Sequence, residues 1–193
     1  RYMIKTYVID TNVLIQAPYA IECFEENNLV LPLVVLEELD GLKKAEGEKG
    51  ANARAAVRKL ESYRQKGDLL QGVKLPGGGI LRIEKNFVQV ELPQDIPDDK
   101  PDNRILKVCK GLAETEKEGQ VILVTKDIVL RLKAQILGIR AEDFERERIS
   151  EDDAQYTGRT EIYFPEDKVK EFKKKGIPLT DAYQSDEEGN RST

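Results

Sequence analysis

Thr6-Tyr7-Val8-Ile9-Asp10-Thr11-Asn12 decides how the rest of the chain is read. A short β-rich run ends at an aspartate followed by turn-forming residues. Strands buried on both faces of a parallel sheet have this form, because neither face needs polar alternation. Outward from it, residues 17–26 read as helical and 29–33 as a second apolar run. Residues 34–45 read as a helix, 47–50 as a charged break, and 51–66 as a second helix stopped by Gly67. Val121-Ile122-Leu123-Val124-Thr125 repeats the opening pattern, and a helix over 128–137 follows, closed by Gly138. Residues 139–144 suit a last short strand. Strand and helix thus alternate over most of the first 145 residues, the pattern of an α/β domain with a mostly parallel sheet. Ligands of such sheets bind outside the carboxyl ends of the strands.

One segment departs from that alternation. Leu75-Pro76-Gly77-Gly78-Gly79 is a loop. Residues 81–84 and 88–92 both alternate at period two, with Glu84-Lys85-Asn86 between them, which predicts a hairpin insert. A Pro/Asp loop over 95–101 leads into a helix over 102–116. The division expected is a domain over 1–149 and an extension over 150–193. The extension holds a strand over 160–164 and a helix opened by Pro165-Glu166-Asp167 and closed by Lys173-Lys174-Lys175-Gly176, in keeping with the helix dipole. Its end, 184–193, is polar and reads as disordered.

Composition removes several chemistries. The 193 residues include 31 basic and 36 acidic side chains, two cysteines, and neither histidine nor tryptophan. Without histidine there is no Ser-His-Asp or Cys-His catalysis and no imidazole metal ligand. Two cysteines make neither a zinc finger nor a disulfide framework, and Cys23 and Cys109 read as core. The apolar run over 29–36 is far short of the ~18 residues of a membrane span. With no visible export signal, a reducing, cytoplasmic setting is expected. Net charge is −5, carried largely by the acidic extension, so nucleic-acid contact would need a local patch.

Carboxylates remain. Asp10 follows a strand, where it either faces the crevice or serves locally, in an Asx turn or as a helix N-cap. Glu37 and Glu38 point ~100° apart on a helix. Val34, Val35, Leu39 and Leu42 mark its buried face, and Glu38 lies within that face. A buried acid needs a partner or a cation. Asp102 opens a helix on its apolar side, and Asp127 follows the strand over 121–125; each also suits a first-turn or capping acid. Four carboxylates at one end of one sheet would repel one another unless a cation compensated them. Oxygen-only ligands select a hard ion, Mg²⁺ or Mn²⁺. Two such ions ~3.5–4 Å apart can activate water and stabilise the leaving oxygen of a phosphodiester, without histidine.

Val8-Ile9-Asp10-Thr11-Asn12, Pro32 to Leu42, Pro101-Asp102-Asn103-Arg104-Ile105-Leu106 and Leu123-Val124-Thr125-Lys126-Asp127, in this order, resemble a PIN domain, a family of metal-dependent nucleases. The resemblance implies a three-layer α/β/α sandwich. It implies an acidic metal site of Asp10, Glu38, Asp102 and Asp127, supported by Thr11, Asn12 and Thr125. Glu38-Leu39-Asp40-Gly41-Leu42, the insert and the residues from 156 to 176 further resemble the amino-terminal part of PhoH-like ATPases. There a PIN domain precedes a P-loop ATPase associated with RNA unwinding. This chain has no G-x-x-x-x-G-K-[ST], so it is expected to be the nuclease half with the start of a linker. Lys126 stands where many members have a small polar residue. PIN domains often pair, so a homo-oligomer is an open expectation.

The function expected is Mg²⁺/Mn²⁺-dependent endoribonuclease activity on single-stranded RNA. Lys43, Arg54, Arg104 and Lys126, with Lys44, Lys49, Arg58 and Arg131, are the candidate phosphate contacts, and such binding is salt-sensitive. A haloacid-dehalogenase-type phosphatase would need a second aspartate where Asn12 stands. A third reading is a catalytically silent PIN domain that binds RNA or docks the ATPase half.

Overall fold

The computed structural model describes residues 3–115, 119–145 and 161–163. In chain order they form β1 (Lys5–Ile9), α1 (Thr11–Gln16), a 3-10 helix (Pro18–Glu22), β2 (Asn28–Pro32), α2 (Leu33–Leu42) and α3 (Gly47–Arg64). There follow β3 (Val73–Lys74), β4 (Ile80–Glu84), α4 (Pro101–Thr115), β5 (Gln120–Val124), α5 (Ile128–Ile136), β6 (Arg140–Glu145) and β7 (Glu161–Tyr163). The seven strands make one sheet in the order β3-β4-β2-β1-β5-β6-β7. All neighbours are parallel except β3 and β4. This is the mixed α/β architecture with a mostly parallel sheet that the alternation implied.

β1, β2 and β5 are each buried over their last four residues, with no in–out alternation. Both faces of the central sheet are therefore covered, which explains the unbroken apolar runs. β1 is central. The chain leaves it toward β2 on one side and returns as β5 on the other, with Ile9 level with Val124. Strand order reverses at this pair, and a crevice opens at its carboxyl end.

Several local assignments change. Val88 to Leu92 is not a strand, so the hairpin predicted from its alternation is absent. Phe87 sits at φ 51°, which turns the chain away from the sheet. Its ring lies where a Cβ on Gly111 would stand, 2.2 Å from that position, so α4 accepts the loop only because residue 111 is glycine. β4 instead runs parallel to β2, and the short antiparallel pair is β3 with β4, turned by the Pro-Gly-Gly-Gly segment. The charged break over 47–50 is the first turn of α3, and of the two local readings of Asp10 the helix N-cap is the one found, since α1 begins at Thr11. The strand expected over 160–164 appears as β7 and joins the same sheet beside β6. The helix and polar end expected after it lie outside the described residues. Cys23 and Cys109 are buried thiols, neither in a disulfide, and Cys23 Sγ donates to the Tyr19 carbonyl at 3.4 Å. Among the described residues no helix is long and apolar enough to cross a membrane.

The connection from α2 to α3 is tight. A Cβ on Gly50 would stand 1.7 Å from the Ala45 carbonyl oxygen, and Arg54 Nη1 donates to the Lys43 carbonyl at 2.7 Å. Gly50→Ala is expected to lower stability by about 1–3 kcal/mol, the usual range for overpacking, as read by chemical denaturation.

Candidate active site

Asp10 ends β1 and caps α1. Its backbone N–H donates to the Val124 carbonyl at 3.0 Å, extending the β1–β5 ladder by one residue. Its Oδ1 accepts from the Thr11 N–H at 2.7 Å, and its Oδ2 from the Thr125 hydroxyl at 2.7 Å. Both readings of Asp10, cap and crevice acid, hold at once. Thr125 also accepts from the Asp127 N–H at 3.1 Å and from Asn12 Nδ2 at 3.4 Å. Asn12 Oδ1 in turn accepts from the Lys126 N–H at 3.1 Å. Thr11 donates its hydroxyl to Glu38 Oε1. Thr11, Asn12 and Thr125 thus tie β1, β5 and α2 together around one carboxylate.

Asp10, Glu38 and Asp102 line one cavity of about 510 Å³. Burial pushes the Asp10 carboxyl up from 3.8 to about 7; the Thr125 hydrogen bond opposes this, and Asp102 and Glu38 add to it through like charge. Glu38 is also raised, first by burial, against the Thr11 hydrogen bond and with a contribution from Asp102. Asp102 is carried by the first turn of α4. That turn is anchored by buried Asn103, whose Nδ2 donates to the Pro97 carbonyl at 2.6 Å and whose Oδ1 accepts from Lys133 Nζ at 3.0 Å.

Asp127 is placed differently. It caps α5, accepting from the Val129 N–H at 2.9 Å, and is not among the residues lining the cavity. Of the candidate phosphate contacts, Lys126 and Lys49 line the cavity. Lys126 Nζ donates to the Phe144 carbonyl at 2.5 Å and lies 3.3 Å from Asp143. Lys43, Arg54 and Arg104 do not line it: Lys43 pairs with Asp40 at 2.8 Å, and Arg54 and Arg104 donate to carbonyls of their own chain. Arg131 is likewise engaged, with the Thr125 carbonyl at 2.8 Å. Sequence reasoning passed over Ile15, Gln16, Leu42 and Glu48, which complete the lining. Helical spacing carried the signal: Ile15 is four residues after Thr11, and Leu42 four after Glu38.

Among the described residues no three acid, cysteine or histidine side chains stand close enough together to grip an ion as placed. The donor chemistry nevertheless fits a hard divalent cation. The carboxylate donors are oxygens only, and the innermost is a buried acid crowded by the like charges of Asp102 and Glu38.

Residues 7–145 match the family described as "PIN domain". The chain belongs to the PIN-domain family. Over 175 residues it is 45% identical to Protein PhoH2 of Bacillus subtilis (strain 168), covering 88% of this chain and 40% of that protein. Over 162 residues it is 38% identical to Protein PhoH2 of Mycolicibacterium smegmatis, covering 82% of this chain and 36% of that one. It is a PIN-domain protein of the PhoH2 type, spanning about two-fifths of the length of these relatives. Among solved structures it is similar to a domain of a functionally unknown protein from Methanocaldococcus jannaschii, with TM-score 0.46, 20% identity, and coverage of 76% of this chain and 95% of that one. It is also similar to VapBC-1 from nontypeable Haemophilus influenzae, with TM-score 0.37, 15% identity, and coverage of 72% and 97%. PIN domains are typically metal-dependent nucleases.

Two predictions follow from the geometry of this PIN domain. Without divalent ions, Asp10 keeps a proton up to about pH 7 when folded but only to 3.8 when unfolded. The stability this proton contributes is complete below 3.8 and is lost as pH rises through about 7. The melting temperature should fall over that interval, the slope should flatten in Asp10→Asn, and added Mn²⁺ should stabilise more at pH 7.5 than at pH 5. Thr125→Val removes the hydroxyl that orients Asp10 and should weaken Mn²⁺ binding about 10- to 100-fold, measured by calorimetry.

Proposed function

We propose that this chain is a Mg²⁺- or Mn²⁺-dependent endoribonuclease that hydrolyses phosphodiester bonds of single-stranded RNA, and that it is the nuclease part of a longer protein whose remainder is an ATPase. The observation that carries this reading is the convergence of Asp10, Glu38 and Asp102 on one cavity at the reversal of strand order, with Asp10 buried and short of positive charge. When bound, a divalent ion lowers the pKa of water and offsets charge on a phosphoryl group.

Asp10, Glu38 and Asp102 would hold the ion. Thr125 and the Thr11 N–H fix both Asp10 oxygens, so the carboxylate is oriented before any ligand arrives. Thr11 restrains Glu38 through its hydroxyl. Lys126, on the acid side of the cavity, and Lys49, exposed at its rim, would meet the phosphates of a bound strand. The Phe144 carbonyl and Asp143 hold Lys126 in position and temper its charge. Asp127 contributes chiefly by starting α5 and by donating its N–H to Thr125.

The test is cleavage of an end-labelled single-stranded RNA with Mn²⁺. Asp10→Asn and Asp102→Asn should each lose at least about 100-fold, equivalent to a few kcal/mol of transition-state stabilisation, and EDTA should abolish cleavage by the unmodified protein. Asp127→Asn, which keeps a good helix cap, should lose far less. Activity indifferent to Asp10→Asn and to EDTA would sink the reading. RNA affinity without turnover would favour a silent binding or docking domain.

A further inference from the structure

The cavity is not uniformly acidic, and its second wall has no role in ion binding. α1 and α2 each contribute two turns to it. On α1, Thr11 belongs to the acid side and Ile15 stands one turn on; on α2, Glu38 belongs to the acid side and Leu42 stands one turn on. The Thr11–Glu38 hydrogen bond joins the two helices at the first level. Ile15 and Leu42 each stand four residues on, about 6 Å further along their own helix, and both line the same cavity. Both are half-buried and packed against the core, so their positions are fixed. Gln16, the last residue of α1, adds an amide to the same wall. The rim beyond is Glu48 and Lys49.

An aliphatic wall offers nothing to a phosphate, which needs cations or N–H donors. It suits the flat, weakly polar faces of a nucleobase, and an amide can both donate to and accept from a base edge. One helical turn is comparable to the reach from a nucleotide's phosphate to its base. Resting on the nuclease reading above, we propose that Ile15, Leu42 and Gln16 form a pocket for one unpaired base next to the scissile phosphate. Ile15 and Leu42 cover the base faces, and Gln16 contacts its edge. A base enters such a pocket only when unstacked, so the pocket selects single strands over duplex.

The experiment moves one abasic residue through each position flanking the cut in a labelled single-stranded RNA. Cleavage is followed with the unmodified protein and Mn²⁺, and binding by fluorescence anisotropy with Asp10→Asn. Loss of the base at one position should lower both cleavage and affinity at least about fivefold, the low end of what a single base contact contributes. In Leu42→Ala and Gln16→Ala, with folding checked by thermal melts, that penalty should shrink below about twofold, as coupled partners require. Equal cleavage and binding of all abasic and intact strands would overturn the pocket and leave the nuclease reading standing. A penalty that persists undiminished in both variants would overturn its placement on these residues. No cleavage of any strand, with base-dependent affinity retained, would overturn the nuclease reading and support the pocket; no cleavage and no base dependence would overturn both.

Discussion

The structure turns on a single carboxylate held between two strands. Asp10 is buried to 4% exposure, yet three of its polar atoms are engaged: N–H to β5, one oxygen to the start of α1, the other to Thr125. Each partner is uncharged, and two of the three bonds reach across to the end of β5. Together they satisfy the group's geometry without supplying a positive charge. Hydrogen bonds to an ionised carboxylate favour its charge, but here burial outweighs them, and Asp102 and Glu38 add repulsion. The same packing that aligns β1 with β5 therefore creates a position where either a proton or a cation is needed. A fold selected for stability alone would put an uncharged side chain at such a place; local conflicts of this kind gather at functional sites.

Architecture explains why the conflict arises there. In a parallel sheet, strands end and helices begin along one edge, so capping residues and exposed N–H groups collect on one side. Asp10 and Asp127 both cap helices after neighbouring strands, but only Asp10 sits where β1 and β5 leave a crevice. Thr125 mediates between them, donating to one and accepting from the backbone of the other. Glu38 and Asp102 reach the same cavity from two further helices, α2 and α4. The acids need not come from one motif, because the topology delivers them.

Much of this was legible in the sequence. Unbroken apolar runs ending in Asp10 and before Asp127 gave the central strands, and periodicity on α2 singled out Glu38 over Glu37. Three failures have physical causes. Val88, Val90 and Leu92 alternate as a strand would, but only Val90 is buried, Val88 is 80% exposed, and the turn at Phe87 is set by its ring packing on Gly111. The alternation reflected loop packing on α4 and not strand pairing. Asp127 satisfied a motif position and a capping position equally well, and spacing alone does not say where a half-buried side chain points. Lys43, Arg54 and Arg104 were near the crevice along the chain, yet their heads turn to their own carbonyls and carboxylates, a choice made by tertiary neighbours.

The residues missed are as informative as those found. Leu42 read as an ordinary core position and Ile15 drew no reading at all; by packing both lie against the core. Their second role appears only when α1 and α2 are seen lining one cavity, each with a polar residue and, four residues on, an apolar one. The Thr11–Glu38 bond ties the two helices together at their polar residues and gives the half-buried Glu38 carboxylate a partner. The contact that restrains a candidate ion ligand thus also joins the two helices that carry the apolar surface. A substrate with an anionic centre and an apolar appendage one turn away matches both levels at once, whereas a bare phosphate or a free ion matches only the first.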